Sequence, residues 1–335
     1  MSNDPKANIP SYPPYGRMIK EWEDDIDGKP PGDWQNKVGW SIWRDSMSTL
    51  LSHVLWPRYD KPTKSWIGSA TKSMHQLTLA DFELLKVLRP RLSDSAGPPV
   101  AQMSKKDLFI LEDIKRDPQT GLRLSDRGPD LSLRKYLETV LEPAKVDDLV
   151  GGFLDGVNAK AGNVDLEMKL DMQRPRAYQM ALLLDQDWFT HQDARTAVTP
   201  SMISGHCVET LMGGVATYYR AEQLGVSKTA LESLAQHTVD VGDRRVLAGV
   251  HYPSDNISSW LTGLMLCAQV CPDSGGREWA WTAITGHSEI YKAIVGASAK
   301  GAPYEIPLEL LALVGRGDIE TVDAAIEFAR GKMSS

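Results

Sequence analysis

The chain has 335 residues, 42% of them hydrophobic and 24% charged, with a formal net charge of −7. This composition suits a globular protein with a substantial core, and the negative balance disfavours a general nucleic-acid or anionic-membrane binder, which presents a basic surface. No run approaches the roughly 18 consecutive apolar residues of a membrane span; the stretch Ser259–Val270 is short and interrupted.

In chain order, Met1–Glu21 is rich in proline and polar residues and lacks the apolar centre of a signal peptide. The acidic run Glu21–Asp27 reads as a solvated face. Turns are expected at Lys29–Asp33 and around Trp56-Pro57, with a short helix over Asn36–Val54. Thr78–Asp81 resembles a capping box opening a helix that stops near Pro90. Ser93–Pro99 is a loop by composition, and Ser104–Asp107 opens a helical run over Leu108–Lys115. Further helices are expected over Leu133–Leu141, Lys145–Val157, Val164–Arg174, Cys207–Leu224, Lys228–Val239, Ile257–Val270 and Asp318–Arg330. Period-two alternation is scarce, so the expected class is all-α: one helical domain over residues 1–335, with residues 1–150 wrapped around an active-site core at 160–270. Cys207, Cys267 and Cys271 are too few and irregular for a disulfide framework, which makes a reducing, cytoplasmic setting the expectation.

Three stretches concentrate chemistry. Lys169 and Arg176 stand seven residues apart, two helical turns, which puts both on one face unless Pro175 bends the helix. Two inward-facing cations repel one another unless an anion lies between them. Ser204 and Gly205 precede the run Cys207–Leu224, where an N-cap and a close backbone approach are wanted, and His206 falls in the first turn. Helix-start N–H groups bind phosphate-like anions. Arg245 is followed by His251 and Asp255, four residues apart, so the carboxylate can hold one ring nitrogen and fix the tautomer. Asp255 can also cap a helix beginning near Asn256. Each stretch alone has a plainer account: a solvated basic face, a common Ser/Gly cap, an incidental histidine. Together they describe a pocket for a tetrahedral oxyanion.

In order and internal spacing these residues resemble the type-two phosphatidic acid phosphatase superfamily, which includes class A acid phosphatases and vanadium-dependent haloperoxidases. Its pattern is Lys-x6-Arg-Pro, then Pro-Ser-Gly-His, then Ser-Arg-x5-His-x3-Asp. Lys169 and Arg176, then Ser204-Gly205-His206, then Arg245, His251 and Asp255 match it, within roughly residues 160–270. Ala177, Ile203 and Arg244 stand where the pattern carries proline, proline and serine.

The resemblance implies a helical bundle of the acid phosphatase/vanadium haloperoxidase type with extra N-terminal helices. It also implies a metal-independent phosphatase acting on a small phosphorylated substrate, a monoester or diphosphate, with no cofactor. Lys169, Arg176 and Arg245, with the backbone N–H groups of Ser204 and Gly205, would bind the phosphoryl oxygens. His251, oriented by Asp255, would form a phosphohistidine; His206 would protonate the leaving oxygen and later activate water. In the haloperoxidase alternative the same pocket holds vanadate, with His251 as the vanadium ligand. A third reading, motivated by Ala177, Ile203 and Arg244, is a non-catalytic anion-binding homologue. Members of the superfamily often pair, which admits a homodimer.

Other constellations carry less. Asp185, Asp187, His191 and Asp193 form an acidic patch without a metal-ligand spacing, and read as solvated loop carboxylates. His237 and Asp240 are expected at a helix C-terminus, where the dipole favours a histidine.

Overall fold

The computed structural model describes residues 39–88, 129–156, 164–189, 199–271, 273 and 275–334. The expected helix Leu108–Lys115, the loop Ser93–Pro99, the acidic run Glu21–Asp27, and His191 with Asp193 lie outside the described residues. Within them the protein is mostly helical, as its patterning requires.

Helix α1 (Trp40–Val54) buries Trp40, Trp43, Met47, Leu50 and Leu51, a three-and-four spacing that draws one face inward. A small antiparallel hairpin follows, β1 (Arg58–Asp60) paired with β2 (Ser65–Ile67), Tyr59 opposite Trp66. Strands of three residues are too short to show an alternation in sequence, so this hairpin was not expected. Helix α2 (Met74–Leu88) begins a full turn before Thr78. Thr78 is therefore inside the helix, its hydroxyl donating to the Met74 carbonyl at 2.8 Å, and Asp81 is fully buried rather than capping.

The remaining helices are α3 (Pro129–Leu137), α4 (Pro143–Gly156), α5 (Val164–Met172), α6 (Ala177–Leu183), α7 (Gly205–Gln223), α8 (Lys228–Leu247), α9 (Pro253–Val270), α10 (Gly275–His287), α11 (Glu289–Ser298), α12 (Glu305–Arg316) and α13 (Val322–Ser334). Of these, α6, α10, α11 and α12 were not anticipated. Helix α8 runs past Val239 to Leu247, which places His237 and Asp240 mid-helix instead of at its end. Both are buried and bonded: His237 Nε2 to Ser132 Oγ at 2.8 Å, and Asp240 accepting from the Tyr136 hydroxyl at 2.6 Å. These bonds to α3 offset the burial of polar groups and let α8 continue through the core.

Helix α7 is the hub, packing against α4, α8, α9 and α10. Helix α9 is buried from Pro253 to Cys267. Its internal hydroxyls are satisfied along the helix: Ser259 Oγ donates to the Asp255 carbonyl at 2.7 Å and Thr262 Oγ1 to the Ser258 carbonyl at 2.7 Å. From the N-terminal region, α1 packs on α5 and on the last helix, α13, while α2 packs on α9. No described helix is long and apolar enough to cross a membrane.

The α4–α7 crossing depends on Gly156, where a Cβ would lie 2.4 Å from Ala216 Cβ and 3.2 Å from the Gly213 Cα. Gly151, on the same helix, has nothing within 4 Å of the same position. We expect Gly156→Ala to cost about 1–3 kcal/mol by overpacking, and Gly151→Ala to stabilise by up to roughly 1 kcal/mol through helix propensity. Urea denaturation of the two variants measures both; equal effects would show that the crossing is not tight.

Candidate oxyanion site

Lys169 and Arg176 do not share a helix. Helix α5 ends at Met172, Gln173 takes a left-handed conformation (φ 46°), and Arg176 becomes the N-cap of α6. The turn nonetheless brings both cations into the same buried region. The Lys169 ammonium donates to the Ile203 carbonyl and, at 3.4 Å, to that of Ser201. Burial, and then the nearby Arg176 charge, push the Lys169 pKa down to about 7. Ala177 opens α6 at the first helical position, where proline's missing N–H costs nothing and its absence is equally well borne.

Ser204 is the N-cap of α7 and Gly205 its first residue. The Ser204 N–H donates to Ser259 Oγ at 2.9 Å, so it is already committed and does not face a ligand. What Ser204 offers instead is a buried hydroxyl with no hydrogen-bond partner among the described residues. His206 follows, half-buried; burial and then the Arg245 charge hold it well below the ordinary histidine range, with His251 adding to the effect. Arg245 lies in the last turn of α8, where the helix dipole favours a cation. Its charge acts on His206 and Lys169 alike.

His251 sits in the turn between α8 and α9, entered through Gly249 at φ 77°. Asp255 is the third residue of α9 and does two jobs with one oxygen. Its Oδ2 accepts from the Tyr252 N–H at 3.0 Å, closing the helix start, and from His251 Nδ1 at 3.1 Å. On the other side of the ring, Arg176 Nη1 lies 3.0 Å from His251 Nε2 and also donates to the Val250 carbonyl at 2.6 Å. A guanidinium can only donate, so Nε2 accepts and the ring proton is on Nδ1. The tautomer is thus set from both sides. Burial, and then the Arg176 charge, hold His251 well below the usual histidine range and keep it neutral.

Behind Asp255 stands a group that sequence reasoning passed over. Arg174 is fully buried, with Nη1 on Asp255 Oδ1 at 2.7 Å and Nη2 on Asp81 Oδ2 at 2.9 Å. Its guanidinium lies 3.9 Å from the Tyr252 ring centroid and 4.7 Å from that of Trp56. Asp81 Oδ1 accepts from the Ser254 N–H at 3.0 Å and the Tyr304 hydroxyl at 2.9 Å. Burial alone would raise the Asp255 pKa, yet Arg174 and His251 hold it below the ordinary carboxylate range. A signal for Asp81 existed: Leu77, Asp81 and Leu85 share the inward face at four-residue spacing. Thr199, whose carbonyl and hydroxyl accept from Arg176 at 2.7 and 3.1 Å, carried no signal.

Lys169, Arg176, His206, Arg245, His251 and Asp255 therefore converge from three separate stretches, with Ser204 and Gly205 at the adjoining start of α7, next to the Ile203 carbonyl that Lys169 holds. Among the described residues, no group of three or more His, Cys, Asp or Glu side chains is placed to hold a metal ion. No protein-family model, no curated protein and no solved structure matches the chain.

Two outcomes follow from this electrostatics. Arg174→Met strands Asp81 and Asp255 as buried carboxylates, and should cost about 3–5 kcal/mol, read by denaturant unfolding; a loss below about 1 kcal/mol would mean the clamp is not structural. For Lys169, below about pH 7 the buried amine is charged in both folded and unfolded chains. Between about 7 and the ordinary value of 10.5 the unfolded chain binds a proton that the folded chain does not, so stability rises with pH. In anion-free buffer Lys169→Met should lose that rise between pH 7 and 9.5; an unchanged slope would contradict the depressed amine.

Proposed function

We propose that the protein is a metal-independent phosphatase working through a phosphohistidine. The observation that carries this reading is the His251 ring: neutral, protonated on Nδ1 against Asp255, with the Nε2 lone pair directed toward Arg176 among buried cations. That lone pair accepts from Arg176 in the empty site; a phosphoryl group that draws the guanidinium onto its own oxygens frees Nε2 to attack, and fixed positive charge is what a phosphoryl transition state needs.

In the reaction, Lys169, Arg176 and Arg245 neutralise the non-bridging oxygens. His251 Nε2 attacks phosphorus, forming the N–P bond as the bond to the leaving oxygen breaks. His206 is neutral in the empty site, and a dianionic phosphoryl group beside it offsets the Arg245 charge and favours its protonation. His206 then passes its proton to the leaving oxygen, and the neutral ring takes a proton from the water that cleaves the N–P bond. Asp255, held by Arg174, balances the positive charge on His251 and prevents the ring from turning.

His251→Ala should lower p-nitrophenyl phosphate hydrolysis by at least about 10³-fold, and the wild type should accumulate an acid-labile phosphoryl group on denaturation mid-turnover. Activity retained in His251→Ala would remove the nucleophile from the proposal. The same Nε2 atom is the group that would hold vanadate in the haloperoxidase reading, so vanadate separates the two. Inhibition of hydrolysis supports the phosphatase; peroxide-dependent bromination in its presence supports the alternative. Phosphate binding without turnover of any ester in a broad panel would leave an anion-binding protein.

A further inference from the structure

The site contains two carboxylates that the reaction above leaves unused. Asp165 lies on α5 one turn before Lys169, and Glu209 lies on α7 three residues after His206, on the same side of the helix. Asp165 abuts the start of α7 so closely that a Cβ on Gly205 would be 2.4 Å from its Oδ2. That is the place an oxyanion drawn to the helix start would approach. Both carboxylates are half-buried, and among the described residues neither forms an ion pair.

The charges that act on them come from the site cations. Lys169 faces both from α5; Arg176 at the start of α6 acts on Asp165, and Arg245 at the end of α8 acts on Glu209. His206 shares the first turns of α7. The other charges on elements packed against α5 are engaged on its opposite side: Arg44 of α1 with Asp45, Glu167 and Asp171, and Arg58 of β1 with Asp45 and Asp171. Three site cations, Lys169, Arg176 and Arg245, thus meet two otherwise unpaired carboxylates.

Resting on the oxyanion reading of the site, we propose that Asp165 and Glu209 form a proton-carrying pair: they offset the cations when the site is empty and take up a proton as the oxyanion enters. Two neighbouring carboxylates beside an incoming dianion cannot all stay ionised without a large electrostatic cost. A proton from solvent moves onto one carboxylate oxygen, and the resulting O–H can donate to a ligand oxygen. Burial, and then the Asp165 charge, already lift Glu209 to about 7, while burial raises Asp165. The site therefore favours an oxyanion accompanied by a proton, and a fully ionised ligand is penalised as pH rises.

Sulfate tests this without titrating itself. Isothermal titration of the full chain with sulfate between pH 6 and 8.5, in buffers of low and high ionisation enthalpy, gives affinity and proton uptake together. We expect wild-type affinity to fall as pH rises above 7, with net proton uptake at pH 8. Asp165→Asn should tighten sulfate binding about tenfold at pH 8, change it little at pH 6, and reduce the uptake; Glu209→Gln should act in the same direction. Removing Asp165 lowers the Lys169 pKa further, which would weaken binding at pH 8 and add to the uptake, so tighter binding with less uptake is opposite in sign to what Lys169 contributes. A purely structural role would weaken binding at both pH values. Wild-type binding without proton uptake, or variants with the wild-type pH slope, would overturn the proposal alone. Failure of the wild type and both variants to bind sulfate, phosphate or vanadate would overturn the oxyanion reading and this proposal together.

Discussion

The site hangs on one buried ionic clamp, Arg174 held between Asp255 and Asp81. All three groups are fully buried. Desolvating three charges is costly, and the attraction offsets that cost only when the geometry is good and the remaining lone pairs are used. Here they are used. Asp81 takes the Ser254 N–H and the Tyr304 hydroxyl, Asp255 takes the Tyr252 N–H and His251, and two aromatic rings line the guanidinium. The clamp joins α2, the α5–α6 turn, the start of α9 and the approach to α12 at one point. That junction fixes which way Asp255 faces, and Asp255 fixes the His251 ring.

Against this rigid back wall the front of the site is electrostatically uneasy. Lys169, Arg176 and Arg245 sit close enough to depress the amine and both histidines. Proteins do not gather buried cations without an answering charge. Asp165 and Glu209 provide part of the answer, and Arg176 spans carbonyl groups and the His251 ring.

Much of the helical class was legible because amphipathic spacing is a local property. Helices α1, α3, α4, α5, α7 and α9 lie where their periodicity placed them, with ends shifted by a few residues. Two departures share a cause, which is that polar groups bonded inside the core erase the pattern. The second half of α8 carries Asp240, Asp243, Arg244 and Arg245 in the core and looks too polar to continue. Thr78-Leu-Ala-Asp81 has the residues of a cap, yet both polar groups are bonded inside a longer helix. Only partners distant in the chain tell the two situations apart.

Residue types and short spacings alone set the helical class, and the separation of four between His251 and Asp255 that makes their contact geometrically available. They also presented the histidines and cations of the candidate site, since residue type and short separation are local facts. Long-range packing set the rest. It ended α5 before Arg176 and still returned that side chain to His251, a convergence no helical wheel contains. It committed the Ser204 N–H to Ser259, made Arg174 the partner of Asp255, and set Asp165 against Gly205. Each of those outcomes depends on charges and dipoles brought together across long stretches of chain, where burial makes electrostatics strong.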